Sequence, residues 1–470
     1  MLLVAASGAL AQGLPDLGDV AEAGFTPLQE RRLGESIMRE IRADRSYYDD
    51  AEATDYISGL GNRLVSRSVE SRQDFDFFLI HDSQINAFAL PGGFIGVNTG
   101  LLLAAQAESE LASVMSHEIA HVTQRHIARM IAQQKQGAIT SLATLAAALL
   151  LSRVSATATE AALAFGTASS IQNQLNFTRD NEREADRVGL QVLEQAGFDP
   201  RGMASFFERL QRATRVYDSS APSYLRTHPL TFERIADMQN RTQGGSYRQI
   251  PDSLEFQLIR AKLRARLDAP REAIAFFEAS LVEHKYLSEA ASRYGLAASL
   301  ARVKDFRRAR KEFDALRKLA PASPIVETLA CELVAGERGP EAAIGCYRDA
   351  LKTYPAYRAL NYAYADTLLR AGRADAAVKV VEERLRSITD DYRLYLLQAR
   401  AYAALNRQLA QHRAQAEAYV RMGNLTAAVE QLRIGLKSGD GDFYQMSSAE
   451  SRLKELRRLE EEMRREAGKR

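Results

Sequence analysis

Residues 117–121 read His-Glu-Ile-Ala-His. The flanking residues, Glu110 to Ser116 before and Val122-Thr123 after, favour helix, and on a helix positions i and i+4 share a face. His117 and His121 can therefore aim two imidazoles at one zinc ion. Glu118, about 100° further round the helix, can reach a metal-bound water as general base. Five residues alone also fit a helical face with two solvated histidines. A catalytic zinc takes three protein ligands and keeps a fourth position for water. A third histidine just downstream would need Gly at 124 and His at 127, where the chain has Gln124 and Ile127. His126 lies about 140° from His121 on a continuous helix and reads as a surface or packing histidine. The other source is a carboxylate on a second helix, and residues 181–190 supply one. Glu182 and Asp186 are i, i+4 and share a face, with Glu184 pointing away. Glu182 can complete a His-His-Glu site, and Asp186 can hydrogen-bond a ligand histidine from behind.

The chain must also hold these helices in register. Residues 20–70 carry helical periodicity through Leu28, Leu33, Ile37 and Ile41, then Tyr56, Leu60, Leu64 and Val65. Residues 74–80 and 93–98 are β-rich and bounded by turn residues, which predicts a small sheet beside the zinc helix. After Gln243-Gly244-Gly245-Ser246 and Pro251, which read as a linker, the chain repeats. Ala273, Ala309, Ala343 and Ala377 each precede by four a large residue: Phe277, Phe313, Tyr347 and Val381. Successive alanines lie 36, 34 and 34 apart, the period of a tetratricopeptide helix hairpin. A further unit is expected around residues 423–428, with an extra helix before it. Residues 451–470 read as a charge-laced, solvated terminal helix with pairs such as Glu461 and Arg465. The fold class is therefore mainly α with a small β-sheet: a zincin-type α+β domain at 20–245, a repeat solenoid at 252–436 and a charged helix at 437–470.

Composition narrows the setting. Formal net charge is +2, with 46% hydrophobic and 8% aromatic residues, so no single-sign excess points to nucleic acid. Residues 1–11 are apolar and end in Ala9-Leu10-Ala11, which fits a truncated secretory signal or a plain apolar terminus. Residues 137–152 carry no charge but fall short of the roughly 20 needed for a membrane span, so a soluble enzyme is expected. Cys331 and Cys346 fall on the two helices of one repeat. They read equally well as a disulfide of an oxidising compartment and as two buried thiols.

The run H-E-I-A-H-V, followed by R-D-N-E-R-E-A-D-R at 179–187, resembles the gluzincin family that includes the CAAX prenyl protease and HtpX. The closer resemblance is to its BepA-like periplasmic branch, a protease domain followed by tetratricopeptide repeats. Residues 86–97 and Thr227-His228-Pro229 resemble the same family. The motifs keep the family's order over residues 80–235, and the repeats extend the likeness to nearly the whole chain. The resemblance implies a periplasmic endopeptidase with one Zn²⁺ per chain on His117, His121 and Glu182. Glu118 would be the general base and Asp186 the orienting carboxylate. His228 would either stabilise the oxyanion or occupy the fourth zinc position and restrain the enzyme. Residues 86–89 would be the edge strand that takes substrate backbone. The implied role is quality control and assembly of outer-membrane β-barrel proteins, with a chaperone contribution open. Unfolded or stalled barrels would be the substrates, the repeats would contact the outer-membrane assembly machinery, and peripheral membrane contact stays open. The alternative is a repeat-based adaptor or chaperone with a structural or silent zinc site, but a silent site has no need of a general base. An intramembrane prenyl protease would need several long apolar spans.

Overall fold

The computed structural model describes residues 25–68, 74–133, 178–216, 224–243 and 250–468. The apolar start, the run at 137–152 and the Gly244-Gly245 linker lie outside the described residues.

The first unit opens with α1 (Pro27–Ala43), started by a Thr26/Gln29 capping box, and α2 (Ala51–Val65), capped by the Asp50 carboxylate on the Ala53 amide. Leu33, Ile37 and Ile41 are buried as the periodicity predicts, whereas Leu28 is exposed. Three strands follow: β1 (Asp76–Ile80), β2 (Ala87–Leu90) and β3 (Phe94–Asn98). The sheet order is β1-β3-β2, with β3 parallel to β1 and antiparallel to β2. β2 is thus an edge strand, and it packs against the helix that carries the zinc motif. Gly92 and Gly93, with φ of 77° and 86°, turn the chain between β2 and β3, a conformation that suits glycine. Short α3 (Thr99–Ala104) leads into α4 (Glu108–Thr123), the motif helix, which is buried along nearly its whole length. Then come α5 (His126–Gln133), α6 (Arg179–Gln195), α7 (Arg201–Val216), the single turn α8 (Tyr224–Thr227) and α9 (Phe232–Gln243).

The second unit is a stack of antiparallel helices: the pairs α10/α11 (Leu254–Leu267, Pro270–Val282), α12/α13 (Glu289–Arg302, Phe306–Leu319), α14/α15 (Pro324–Arg338, Pro340–Thr353) and α16/α17 (Arg358–Arg370, Ala374–Ser387), then α18 (Tyr392–Ala404), the pair α19/α20 (Gln408–Arg421, Leu425–Leu436) and the final helix α21 (Phe443–Gly468). Ala273, Ala309, Ala343 and Ala377 are each fully buried on the second helix of a pair, and the large residue one turn on is buried beside each. Small residues at these crossings let the helices close, and the large ones fill the groove. Cys331 on α14 and Cys346 on α15 form a disulfide across one pair. The unit expected around residues 423–428 is present as α19/α20, with Ala428 and Leu432 buried on its second helix, and the extra helix before it is α18. One element differs from the sequence pattern. The final helix is not a solvated tail: Ala449, Leu453 and Leu456 of α21 are buried against α20 and α19. Its charged face dominates the composition and hides this narrow apolar stripe.

The junction of the two units is packed and polar-matched. One hydrophobic cluster runs from Ile57, Leu101 and Met115 to Phe256, Ile259 and Leu300. The N-termini of α4 and α10 clasp each other: the Glu108 amide donates to Asp252 Oδ1 at 2.7 Å, while the Glu108 carboxylate accepts the Ser253 amide at 2.9 Å and its hydroxyl at 2.7 Å. Each helix start thus has one backbone amide satisfied by a carboxylate at the start of the other. Lys262 Nζ bonds Asp50 and Glu52, Arg358 pairs with Asp55, and Arg393 pairs with Asp49. No helix among the described residues is long and apolar enough to cross a membrane.

Candidate metal centre and active site

α4 and α6 bring the site together because α6 can lie directly on α4. Gly189 faces the backbone of His117, and a Cβ there would stand 3.1 Å from His117 N and Cα. With that approach, Glu182 and Asp186 reach the motif. His117 Nε2 lies 3.0 Å from His121 Nε2, and the two oxygens of Glu182 lie 3.4 Å from His121 Nε2 and 3.5 Å from His117 Nε2. A third imidazole joins them. His228, one residue past α8, places Nδ1 3.0 Å from Glu182 Oε1 and 3.4 Å from His117 Nε2. One ligand atom from each of His117, His121, Glu182 and His228 lies within 4.8 Å of the others, and all four residues are buried. Three imidazole nitrogens and a carboxylate oxygen are the donor set that zinc prefers. Burying four such groups face to face without a cation would be costly, so the residues suit the ion.

The expected supporting residues take up their places, and others appear that the sequence reading missed. Asp186 Oδ1 is 3.0 Å from His117 Nδ1. Asp186 is itself gripped by Arg234 of α9, whose Nε and Nη2 donate to its two oxygens at 2.7 and 2.8 Å. Nη1 of the same guanidinium bonds the Pro229 carbonyl and lies 2.8 Å from Glu182 Oε2. Arg234 therefore ties α6, α9 and the His228 loop together by a bidentate geometry that lysine could not supply. A lone arginine in a surface-type helix pattern gives no sequence signal of this. Tyr224 stacks its ring on His228 with centroids 4.6 Å apart.

His126 stays outside the donor set, as expected, and is a packing rather than a surface histidine: it is fully buried, with Nδ1 2.9 Å from Nδ1 of His121 and Nε2 3.1 Å from Glu184 Oε2. The 140° separation from His121 does not hold, because it needs one continuous helix. The helix instead stops at Gln124, and Arg125 adopts φ 52°, so α5 starts in a new direction and swings His126 back to the site. Arg125 is held in that conformation by bonds to Glu30 and the Phe25 carbonyl. Glu184 does point away from Glu182, and it meets Arg129 and His126 there.

The charges are arranged for chemistry. Burial pushes Glu182 up, but His228, His117 and His121 outweigh it and hold its carboxyl well below the ordinary range, ready to ligate. Burial also pushes Asp186 up, and Arg234 more than reverses this. Glu118 differs: burial raises it, and His228 and His117 offset that only in part. A buried carboxylate poised above its usual range is what a general base at neutral pH requires. Neither of its oxygens has a well-formed hydrogen bond; its polar neighbours are the Ala89 amide of β2 and His228 Nε2, 3.5 Å from Oε1. Burial drives His121 well down and takes His126 to about 4, so both are neutral.

Comparison with known proteins agrees with this geometry. The model of peptidase family M48 matches residues 52–242, which span the sheet, α4, α6 and α9. The beta-barrel assembly-enhancing protease of Escherichia coli K12 is 33% identical over 96% of this chain and 92% of its own length. The chain belongs to peptidase family M48, with the beta-barrel assembly-enhancing proteases. A putative beta-barrel assembly-enhancing protease of Vibrio cholerae is 35% identical over 89% of this chain and 86% of its own. The mitochondrial metalloendopeptidase OMA1 of Schizosaccharomyces pombe is 32% identical over 45% of this chain and 60% of its own. The chain is a zinc metalloendopeptidase followed by a tetratricopeptide-type helical stack.

Proposed function

We propose that this enzyme cleaves unfolded or stalled outer-membrane β-barrel proteins in the periplasm and assists their assembly. His117, His121 and Glu182 hold the zinc, and Glu118 is the base. The convergence of three imidazoles and Glu182 beside the unbonded Glu118 carboxylate carries this reading. The ion supplies Lewis acidity that polarises the scissile carbonyl and acidifies water. Glu118 takes the proton from the attacking water and delivers it to the leaving amine. Asp186 accepts the Nδ1 proton of His117 and so directs its Nε2 to the cluster. The outer edge of β2 pairs with no strand among the described residues, and residues 86–90 suit the addition of an extended substrate strand beside α4. His228, with Nδ1 among the ligand atoms, supports the reading in which it fills the fourth position at rest and restrains the enzyme.

The barrel substrate is taken from the function named for the Escherichia coli relative. The Cys331–Cys346 disulfide supports an oxidising compartment. We divide the chain into a protease unit at 20–245, a recognition arm at 252–436 and the helix at 437–470, with the arm engaging the assembly machinery. The test combines zinc content with cleavage of an unfolded outer-membrane barrel protein. Glu118→Gln should keep its zinc and lose about 10²–10⁴-fold in cleavage rate. Cleavage at the parent's rate would reject the mechanism. A cleavage-dead variant that still restored barrel assembly fully would favour the adaptor reading.

A further inference from the structure

His117 and His121 are each held from behind, but by different means. His117 Nδ1 meets a carboxylate, Asp186. His121 Nδ1 meets another imidazole: His126 Nδ1 stands 2.9 Å away, His126 Nε2 faces Glu184 Oε2 at 3.1 Å, and Arg129 Nη2 donates to the same oxygen at 2.9 Å. Two ring nitrogens at that distance share one proton, so one donates and the other accepts. A histidine that ligates through Nε2 keeps its proton on Nδ1. His121 must then donate, and His126 must accept at Nδ1. A neutral His126 then carries its own proton on Nε2, facing a carboxylate that can only accept. Each link has one consistent polarity. The reverse assignment would put the proton on His121 Nε2, the nitrogen that must keep its lone pair to ligate the ion. It would also set the His126 Nε2 lone pair against the Glu184 lone pairs.

We propose that His126 and Glu184, with Arg129 steadying the carboxylate, form a positioning relay that locks His121 in its Nδ1–H tautomer and tightens zinc binding. The proposal rests on the reading of His121 as a zinc ligand. The turn at Arg125 serves it, since that turn returns His126 to the ring of His121. His126 offers no ligand atom to the donor cluster; it meets His121 at Nδ1, the nitrogen that does not face the cluster.

The experiment measures zinc dissociation constants by chelator competition on the full chain, alongside unfolding midpoints. His126→Leu should still bind one zinc, with a dissociation constant raised about 10–100-fold. His126→Asn keeps an acceptor near the place of Nδ1 and should recover most of that loss. Glu184→Ala should fall between the two. Nitrogen-15 spectra of histidine side chains in the zinc-loaded parent should show His126 protonated on Nε2 and His121 on Nδ1. Parent affinity in His126→Leu, or a His126 protonated on Nδ1, would overturn the relay. If His126→Leu does not fold, the His126→Asn variant and the parent spectra decide. His121→Ala separates the two readings: if it bound zinc like the parent, the ligand assignment itself would fail, whatever His126 does.

Discussion

Lys262→Met tests whether the two units stand or fall together. Lys262 lies on the first helix of the stack, yet its Nζ sits 2.7 Å from Asp50 Oδ2 and 2.7 Å from Glu52 Oε2 in the protease unit. Lys262 is 7% exposed and Glu52 2%. Removing one partner of a buried ion pair costs about 3–5 kcal/mol, because the other charge stays buried without compensation. Two carboxylates are stranded here, and neither can retreat easily. Asp50 caps α2 through the Ala53 amide, and Glu52 Oε1 already lacks a partner. The cost should therefore fall in the upper part of that range. It should also depend on pH. Burial raises the pKa of Glu52 and Lys262 opposes this, so the variant's folded pKa rises further above the unfolded value. Ionised Glu52 then destabilises the fold at neutral pH, and the penalty fades as pH falls through the raised folded pKa to the ordinary carboxylate range of the unfolded chain. Urea unfolding by circular dichroism, with zinc release followed in parallel, reads both effects. Because the apolar cluster is continuous across the junction, loss of helix and loss of zinc should coincide. A second change, Glu52→Leu, should restore part of the loss by removing a stranded charge. A cost below about 1 kcal/mol, or melting of the stack with zinc retained, would refute the reasoning.

Three other outcomes are expected. His228→Ala should raise the rate of cleavage of an unfolded barrel protein if His228 restrains the site; a fall in a discontinuous peptidase assay would assign it to the oxyanion instead. Gly189→Ala gains about 1 kcal/mol of helix propensity but pushes α6 off His117, so stability should change little while zinc affinity, read by chelator competition, falls roughly tenfold. Ala343→Arg puts a long cation at a crossing with no free space and should cost about 1–3 kcal/mol or more in a denaturant midpoint; pull-down of assembly factors should weaken with it.

The donor residues were legible because their spacing is the chemistry: i, i+4 histidines on one helix and i, i+4 carboxylates on another can meet only if the two helices pack. The step from alanine to a large residue marks four helix pairs for the same reason. It skips one 34-residue period, with Gln411 and Gln415 where the next step would fall, and resumes at Ala428 and Leu432 because α18 is inserted before α19/α20. The 140° separation of His126 from His121 fails because a single residue with positive φ, Arg125, breaks the helical frame, and nothing in an arginine's identity announces it. Arg234 and Tyr224 were missed because a side chain that braces a site from another element has no fixed spacing to the residues it braces. In the sequence the junction reads as a linker followed by repeats, with no sign of the contacts across it. In fact the Glu108, Asp252 and Ser253 clasp and the Lys262 pairs make the first helix of the stack part of the wall behind α4. Polar matching of that kind appears only once both partners are placed.

The site is closed as it stands: His117, Glu118, His121, Glu182 and His228 are each no more than 1% exposed. A protein substrate must therefore displace something, and the elements differ in how firmly they are held. α4 is a buried helix of 16 residues, and α6, of 17 residues, lies on it through its buried face with Gly189 closing the gap between them. α8 is one turn of 4 residues. It and the following Thr227-His228-Pro229 segment are held by the Tyr224 amide on the Ile85 carbonyl at 3.3 Å, the ring stack of Tyr224 on His228, and Arg234 on the Pro229 carbonyl. The Tyr224 hydroxyl is buried without a hydrogen bond, which weakens the seat further. Local opening follows weakly held backbone, and among the described elements at the site the short segment that carries His228 is the candidate to move. Lifting it removes an imidazole from the ligand cluster and frees the approach to Glu118 in one motion. It also breaks the Tyr224 bond to Ile85, the residue just before the β2 edge to which an extended substrate would add. The Tyr224–Ile85 bond thus places the His228 segment beside the edge that an extended substrate would join.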